Sequence, residues 1–268
     1  MGDERPIGVF DSGVGGLAVL AEVRRLLPAE HLIYYADQAY FPYGPRGRDE
    51  VRARAGAITR ELLERGCKLI VVACNTATSA AVAWLRDRFD VPFVSIEPAL
   101  KPAAAATLAG KVALLMTPGT ARGDKLSALI DRYGAEVHVV KVEAPGLADR
   151  VEEGDLDGAE TRALVRRYLA PVIESGADML VLGCTHYAFL RRLIEEEAGD
   201  GVGVLEPSEA VARQVQRVLE REGLLNSGAA RGSVVYLTSG DAEAFAQQRA
   251  RLRAAGAAIP EEALEEAR

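Results

Sequence analysis

Cysteine is scarce in this chain: three residues in 268, at Cys67, Cys74 and Cys184. An odd number without tight spacing excludes the disulfide framework of a small secreted scaffold and fits reduced thiols. Histidine is as rare (His31, His138, His186), and no C-x-x-C or H-x-x-x-H spacing gathers metal ligands. The few lysines (Lys68, Lys101, Lys111, Lys125, Lys141) include none in a setting suited to a Schiff base with pyridoxal phosphate. A P-loop is absent, and Gly13-Val14-Gly15-Gly16-Leu17-Ala18 breaks the G-x-G-x-x-G pattern at its third glycine, which argues against a dinucleotide. The sequence therefore demands no cofactor and no metal. No apolar run reaches membrane-spanning length, and the first predicted strand begins at Ile7, leaving no room for a signal peptide. A cytoplasmic location is expected. The net charge of −7 disfavours nucleic acid and anionic membranes as partners.

What the chain does contain is ordinary for a soluble protein, 49% hydrophobic and 26% charged, at a length for one large or two modest domains. Its organising stretch is Leu69-Ile70-Val71-Val72-Ala73-Cys74, followed by Asn75, Thr76 and an Ala-rich run. Continuous apolar, mostly β-branched residues predict a buried parallel strand ending at the thiol, with Asn75 or Thr76 capping the next helix. A thiol there meets the positive end of a helix, which favours thiolate. A lone cysteine in such a place is more often packing than chemistry. The chain, however, repeats itself: Gly176-Ala177-Asp178-Met179-Leu180-Val181-Leu182-Gly183-Cys184 echoes residues 66–74 at an offset of 110. Leu205-Glu206-Pro207 echoes Ile96-Glu97-Pro98 at 109, and Met116-Thr117-Pro118-Gly119 weakly echoes Phe10-Asp11-Ser12-Gly13 at 106. A duplication of that length predicts two similar units facing across a cleft, each offering one thiol.

Strand and helix patterns alternate throughout, which predicts an α/β fold of two pseudo-symmetric domains, each a mainly parallel sheet flanked by helices. Strands are expected at 7–11, 32–37, 69–74, 93–97, 112–117, 137–142, 179–184, 203–206 and 234–237, and helices at 17–27, 49–65, 77–89, 119–133, 160–175, 187–197, 208–222 and 241–254. Residues 39–47, AYFPYGPRG, form a loop, and the acidic end 261–268 is expected to fray. The last strand has no counterpart in the second repeat, so the chain is expected to cross back. The expected domains are 1–97 with 208–268, and 98–207, with the site in the cleft at the carboxyl ends of the strands. Asp11, Asp37, Cys74, Thr117 and Cys184 all fall at such ends.

Four features beyond the thiols suit chemistry. His186, two residues after Cys184, is in reach as an acid–base partner. Asp11 ends a strand in the half that holds Cys74 and suits the matching acid–base role there; the plainer reading is a cap for the helix that follows, and the two roles are compatible. Tyr43, between Pro42 and Gly44 in a chain with only 6% aromatics, favours a site wall. Backbone N–H groups of the Gly13–Gly16 turn are fit to hold a carboxylate. Cys67, at the wrong end of its strand, reads as core. Inverting a carbon that bears one proton needs a base on one face and an acid on the other, and two opposed thiols supply both. Helix N-termini aimed at the substrate carboxylate stabilise the carbanion, and excluding water strengthens that effect.

The motifs DSGVGGL (11–17), PYG (42–44), ACNTAT (73–78), IEP (96–98), GCTHY (183–187) and TSGD (238–241) span almost the whole chain. In them the sequence resembles the glutamate racemases of the cofactor-independent aspartate/glutamate racemase superfamily. The resemblance implies interconversion of L- and D-glutamate for peptidoglycan, hence cell wall and cell shape, and a homodimer without cofactor. It also implies that Cys74 deprotonates D-glutamate assisted by Asp11, and that Cys184 deprotonates L-glutamate assisted by His186. Substrate contacts would fall on Asp11, Ser12, Tyr43, Gly44, Asn75, Thr76, Thr120, Thr185 and His186, with Glu152 near the second half-site. Three positions depart from the family pattern: Ala188 stands where Pro is usual, AYF precedes PYG, and Gly123 replaces a frequent Ser. The rival readings are an aspartate racemase or other superfamily isomerase, a Cys–His hydrolase using one thiol as nucleophile, and a non-catalytic binding module.

Overall fold

The structure, a computed structural model, describes residues 2–122, 124–133 and 137–261. Gly123 and the acidic end from 262 onward, both singled out in the sequence, lie outside the described residues. The order is β1 (Ile7–Asp11), α1 (Leu17–Leu26), β2 (Leu32–Ala36), α2 (Arg48–Glu64), β3 (Leu69–Val72), α3 (Asn75–Arg86), β4 (Phe93–Ser95) and α4 (Leu100–Ala106). Then come β5 (Lys111–Met116), α5 (Pro118–Ala121), α6 (Asp124–Tyr133), β6 (His138–Glu143), α7 (Leu147–Glu153), α8 (Ala159–Ser175) and β7 (Met179–Gly183). The chain ends with α9 (Arg191–Ala198), β8 (Gly203–Leu205), α10 (Ser208–Arg221), β9 (Val234–Thr238) and α11 (Ala242–Ala254).

Two parallel sheets result, ordered β4-β3-β1-β2-β9 and β6-β5-β7-β8. Read from the other edge, the second is β8-β7-β5-β6, so β3 corresponds to β7 and β1 to β5. The duplication read in the sequence is thus a duplication of topology, and each thiol follows the equivalent strand of its sheet. The extra strand β9 pairs with β2 from Leu32↔Val234 to Ala36↔Thr238, as the crossing-back of the chain requires.

Strands β1, β2 and β3 are buried along their whole length, which is why they read as unbroken apolar runs. Alternate side chains serve opposite faces. Val9 and Val71 join Leu20 of α1 and Val215 of α10, whereas Phe10, Ile70 and Val72 join Ile58 of α2 and Leu85 of α3. In the second sheet Val112, Leu114 and Met116 face Leu100 and Leu126, and Ala113 and Leu115 face Val165 and Leu169 of α8. One apolar cluster runs from Val9 and Val71 through to Leu115 and Leu182, so the two sheets share a core. Cys67, 4% exposed, lies in the core as expected. Among the described residues no helix is long and apolar enough to cross a membrane.

Several elements differ from expectation. Residues 119–133 are two helices, α5 and α6, and the stretch expected to be helix from 187 is a 3-10 turn, Thr185–Leu190, followed by α9. One 3-10 turn, Gln38–Tyr40, opens the aromatic loop. Helices α4 and α7 were not expected: Pro102 sits in the first turn of α4, where it is tolerated. Gly146 and Gly154, at φ 82° and 81°, bracket α7.

Candidate active site

Cys74 caps α3 with its own sulfur. Its backbone is extended, and Sγ accepts the Ala77 N–H at 3.5 Å, so the cap is the thiol and not Asn75 or Thr76. The S–H points to Ser12 Oγ at 3.8 Å, and Ser12 in turn donates to Asp11 Oδ1 at 3.2 Å. Asp11 is fully buried at the end of β1; Oδ1 also takes the Gly13 N–H at 2.9 Å, and Oδ2 takes Thr185 Oγ1 at 2.9 Å. Asp11 therefore reaches Cys74 through the Ser12 hydroxyl. The helix end does not win the thiolate here. Burial first, then the Asp11 charge, pushes the Cys74 thiol well up, and the Ala77 bond offsets only part of this.

On the other side Cys184 Sγ lies 3.7 Å from His186 Nδ1, and His186 Nε2 lies 2.8 Å from Glu152 Oε1 on α7. Phe41, the last residue of AYF, tilts over the imidazole at 5.4 Å between ring centroids. The Gly-rich turn does hold a carboxylate, and it is the protein's own: Val14 N–H donates to Glu152 Oε1 at 2.7 Å. Tyr34, buried under the turn, fixes it by donating to Gly13 O at 2.7 Å.

Both thiols line one small cavity of about 30 Å³ with Ser12, Tyr43, Gly44, Asn75, Thr76, Thr117, Thr120, Thr185 and His186. Of the site residues expected from sequence, only Asp11 and Glu152 stand behind the wall. Tyr43 is held by Asp37, its OH 2.5 Å from Oδ2, and Asp37 is clamped by two hydrogen bonds from Arg54 at 2.7 and 3.0 Å. Thr76, Thr117 and Thr120 form a hydroxyl cluster at 3.1–3.5 Å. Arg122 donates to Gly44 O at 2.9 Å, tying the PYG loop to the segment after β5. Asn75 is 5% exposed, and its Oδ1 and Nδ2 both lack a partner. A buried amide left open on a cavity wall is built for a ligand's polar groups. Thr117, read in the sequence at a strand end, lines the cavity; missed in sequence were Gln38 and Gln248, which lie behind Glu152, and no motif marks either as part of a site.

Burial pulls the His186 imidazole down, but its hydrogen bonds to Cys184 and Glu152 outweigh it and hold the ring well above its ordinary value. Burial likewise pushes Glu152 up, and the bonds from His186, the Val14 N–H and Gln248 overcome it, leaving the carboxyl below its ordinary value. Asp11 goes the other way, raised by burial against the opposing His186 charge and Gly13 bond. A raised imidazole contributes stability that is complete below its unfolded value of about 6.5 and is lost as pH rises through the folded value. A depressed carboxyl contributes stability that is complete above about 4.3 and is lost as pH falls through the folded value. The Glu152–His186 pair therefore contributes fully between those two limits. Glu152→Gln is expected to lower the melting temperature most inside that window and less on either side; a deficit independent of pH would contradict the pairing.

Two equivalent parallel sheets thus each end a strand on a thiol that faces a common cavity, with Ser12 and Asp11 behind Cys74 and His186 and Glu152 behind Cys184. A family model described as Asp/Glu/Hydantoin racemase matches residues 7–215, and the chain belongs to that family. Within it the chain is similar to a glutamate racemase of Herpetosiphon aurantiacus, 51% identical over 246 residues, 92% of this chain and 97% of that protein. Among solved structures it resembles a glutamate racemase isoform of Bacillus anthracis, with a TM-score of 0.87 at 32% identity over 94% of this chain and 95% of that one. The Escherichia coli glutamate racemase, solved in complex with L-glutamate and an activator, gives a TM-score of 0.84 at 32% identity, over 94% and 95% of the two chains.

Proposed function

We propose that this protein interconverts L- and D-glutamate by proton abstraction and donation between two thiols. The observation that carries the reading is that Cys74 and Cys184 line one cavity, each backed by a different proton carrier. In the L-to-D direction Cys184 as thiolate takes the α-proton of L-glutamate. The electron pair left on carbon is delocalised into the α-carboxylate, which accepts hydrogen bonds from Asn75 and the threonine hydroxyls around it. Cys74, held as the thiol, delivers its proton to the opposite face. The reverse direction exchanges the roles, so Cys74 serves D-glutamate and Cys184 serves L-glutamate. Ser12 and Asp11 relay the proton at Cys74; His186 and Glu152 do so at Cys184. Such relays work best with carriers fixed within hydrogen-bond reach.

The cavity has room for about one water, so an amino acid enters only after the halves part. The moving parts in this reading are 1–97 with 208–268 against 98–207, and the Arg122 bond to Gly44 O is one that must break. Arginines 46, 48 and 122 line a second hollow beside Thr76 and Gly119, a fitting approach for a dicarboxylate. Further along the same reading, the product serves peptidoglycan and cell shape, and the enzyme works in the cytoplasm as a homodimer, without nucleic acid, membrane or cofactor. Circular dichroism of L- and D-glutamate and of both aspartate enantiomers tests it. Loss of optical activity from glutamate is expected; racemisation of aspartate alone would make the protein an aspartate racemase.

A further inference from the structure

Glu152 is gripped from both sheets. Its own side contributes His186; the opposite side contributes the Val14 N–H and Gln248, whose Nε2 donates to Oε2 at 2.6 Å and also to the Glu152 backbone carbonyl. Gln38 completes the set: its Nε2 donates to Gln248 Oε1 at 2.5 Å and to Glu152 Oε2 at 3.4 Å. Both N–H groups of each amide are thereby used, and each carboxylate oxygen has two donors. Gln248 is 6% exposed, and neither glutamine lines the thiol cavity. Both are held by the TSGD segment that the reaction leaves unexplained. Thr238 Oγ1 donates to Gln38 Oε1 at 3.1 Å, while Asp241 caps α11, the helix that carries Gln248, by accepting the Ala244 N–H at 2.7 Å.

We propose that Gln248, with Gln38 beside it, is a positioning residue for the racemisation: it fixes the plane of the Glu152 carboxylate so that Oε1 faces His186, and through His186 governs proton exchange at Cys184. A carboxylate on a three-carbon arm turns freely unless both oxygens are occupied, and a misaligned Oε1 no longer orients the ring. Because Gln38, Val14 and Gln248 belong to the opposite side of the cleft from Glu152, parting the halves strips these donors away. His186 is then fully supported only when the site is shut.

The inference rests on the two-thiol reading, and its test separates the two. Racemisation of glutamate is measured for the wild type, Gln248→Leu, Glu152→Gln and the double variant. Gln248→Leu is expected to lower kcat about ten- to a hundredfold with KM little changed. Added to Glu152→Gln it should cost nothing further, because the amide acts only through that carboxylate. Multiplying effects would overturn the proposal. In parallel, His186 is titrated by NMR with 15N-labelled histidine. The charged or titratable groups facing it are Glu152, Cys184 and Asp11, and none of these is altered in Gln248→Leu. The titration is expected to fall; an unchanged one overturns the proposal even if activity drops. Should Gln248→Leu fail to fold, Gln38→Leu carries the same two expectations. A wild type that racemises neither glutamate nor aspartate defeats the two-thiol reading alone, and the titration then decides the positioning role.

Discussion

Cys74→Ser and Cys184→Ser are each expected to slow racemisation by about a hundred- to ten-thousandfold, the range for removing a positioned acid or base. A hydroxyl replaces a thiol in nearly the same volume, so stability should change little. Neither variant will favour one enantiomer over the other in kcat/KM. Enantiomers have equal free energy, so the ratio of forward to reverse kcat/KM is unity for every variant. What separates them is isotope exchange. In deuterated water Cys74→Ser keeps the thiol on the L side, so L-glutamate should gain α-deuterium without inverting while D-glutamate stays unlabelled. Cys184→Ser should show the opposite. NMR of the α-proton with chiral separation reads this directly. If either variant inverts glutamate at the wild-type rate, two-thiol chemistry is wrong; labelling of both enantiomers by one variant would mean that one group serves both faces.

Gly15→Ala is expected to abolish most activity in a protein that still folds. A methyl group at Gly15 would stand 2.4 Å from His186 Nδ1 and 2.5 Å from Thr185 Oγ1; one at Gly13 would meet Glu152 Oε1 at 1.8 Å. Neither glycine has a positive φ, so alanine costs the backbone little there. The methyl instead pushes the imidazole off Cys184, and a displacement of about 1 Å at a reacting group costs on the order of a hundredfold. Gly66 makes the contrast. It sits at φ 81° with nothing within 4 Å of an added Cβ, so Gly66→Ala should cost about 1–2 kcal/mol of stability and leave turnover untouched. Thermal melts and circular-dichroism kinetics on both variants check the pair; a fully active Gly15→Ala would show that the dyad tolerates that approach.

The two variants also mark how far a sequence can be read. The broken glycine pattern at 13–16 excluded a dinucleotide, and its N–H groups suggested a carboxylate site. That the carboxylate is Glu152, 138 residues on, emerges only when α7 is folded against the turn. The strands and the paired cysteines were legible because a parallel strand buried on both faces leaves an unbroken apolar run, and the same run appears twice. Helix α7 was not legible: it is 7 residues long between two left-handed glycines, too short for periodicity to register. Gln38 and Gln248 were silent for another reason. A glutamine on a helix or turn ordinarily faces water, and nothing local distinguishes one that binds a group from a third segment. The state of Cys74 was misread because the helix end is a local feature, whereas burial and the Asp11 charge depend on the assembled site.

The pairing of β9 with β2 sets an order of events during synthesis. Every strand of the second sheet lies between Lys111 and Leu205, so that sheet is whole as soon as those residues clear the ribosome. The first sheet begins earlier and finishes later, because its outer strand is Val234–Thr238. Until then the Leu32–Ala36 strand presents a bare row of backbone donors and acceptors, the kind of edge that captures neighbouring chains. A nascent chain stalled short of residue 234 would carry one finished half and one adhesive half, and the half still waiting is the one that supplies Cys74.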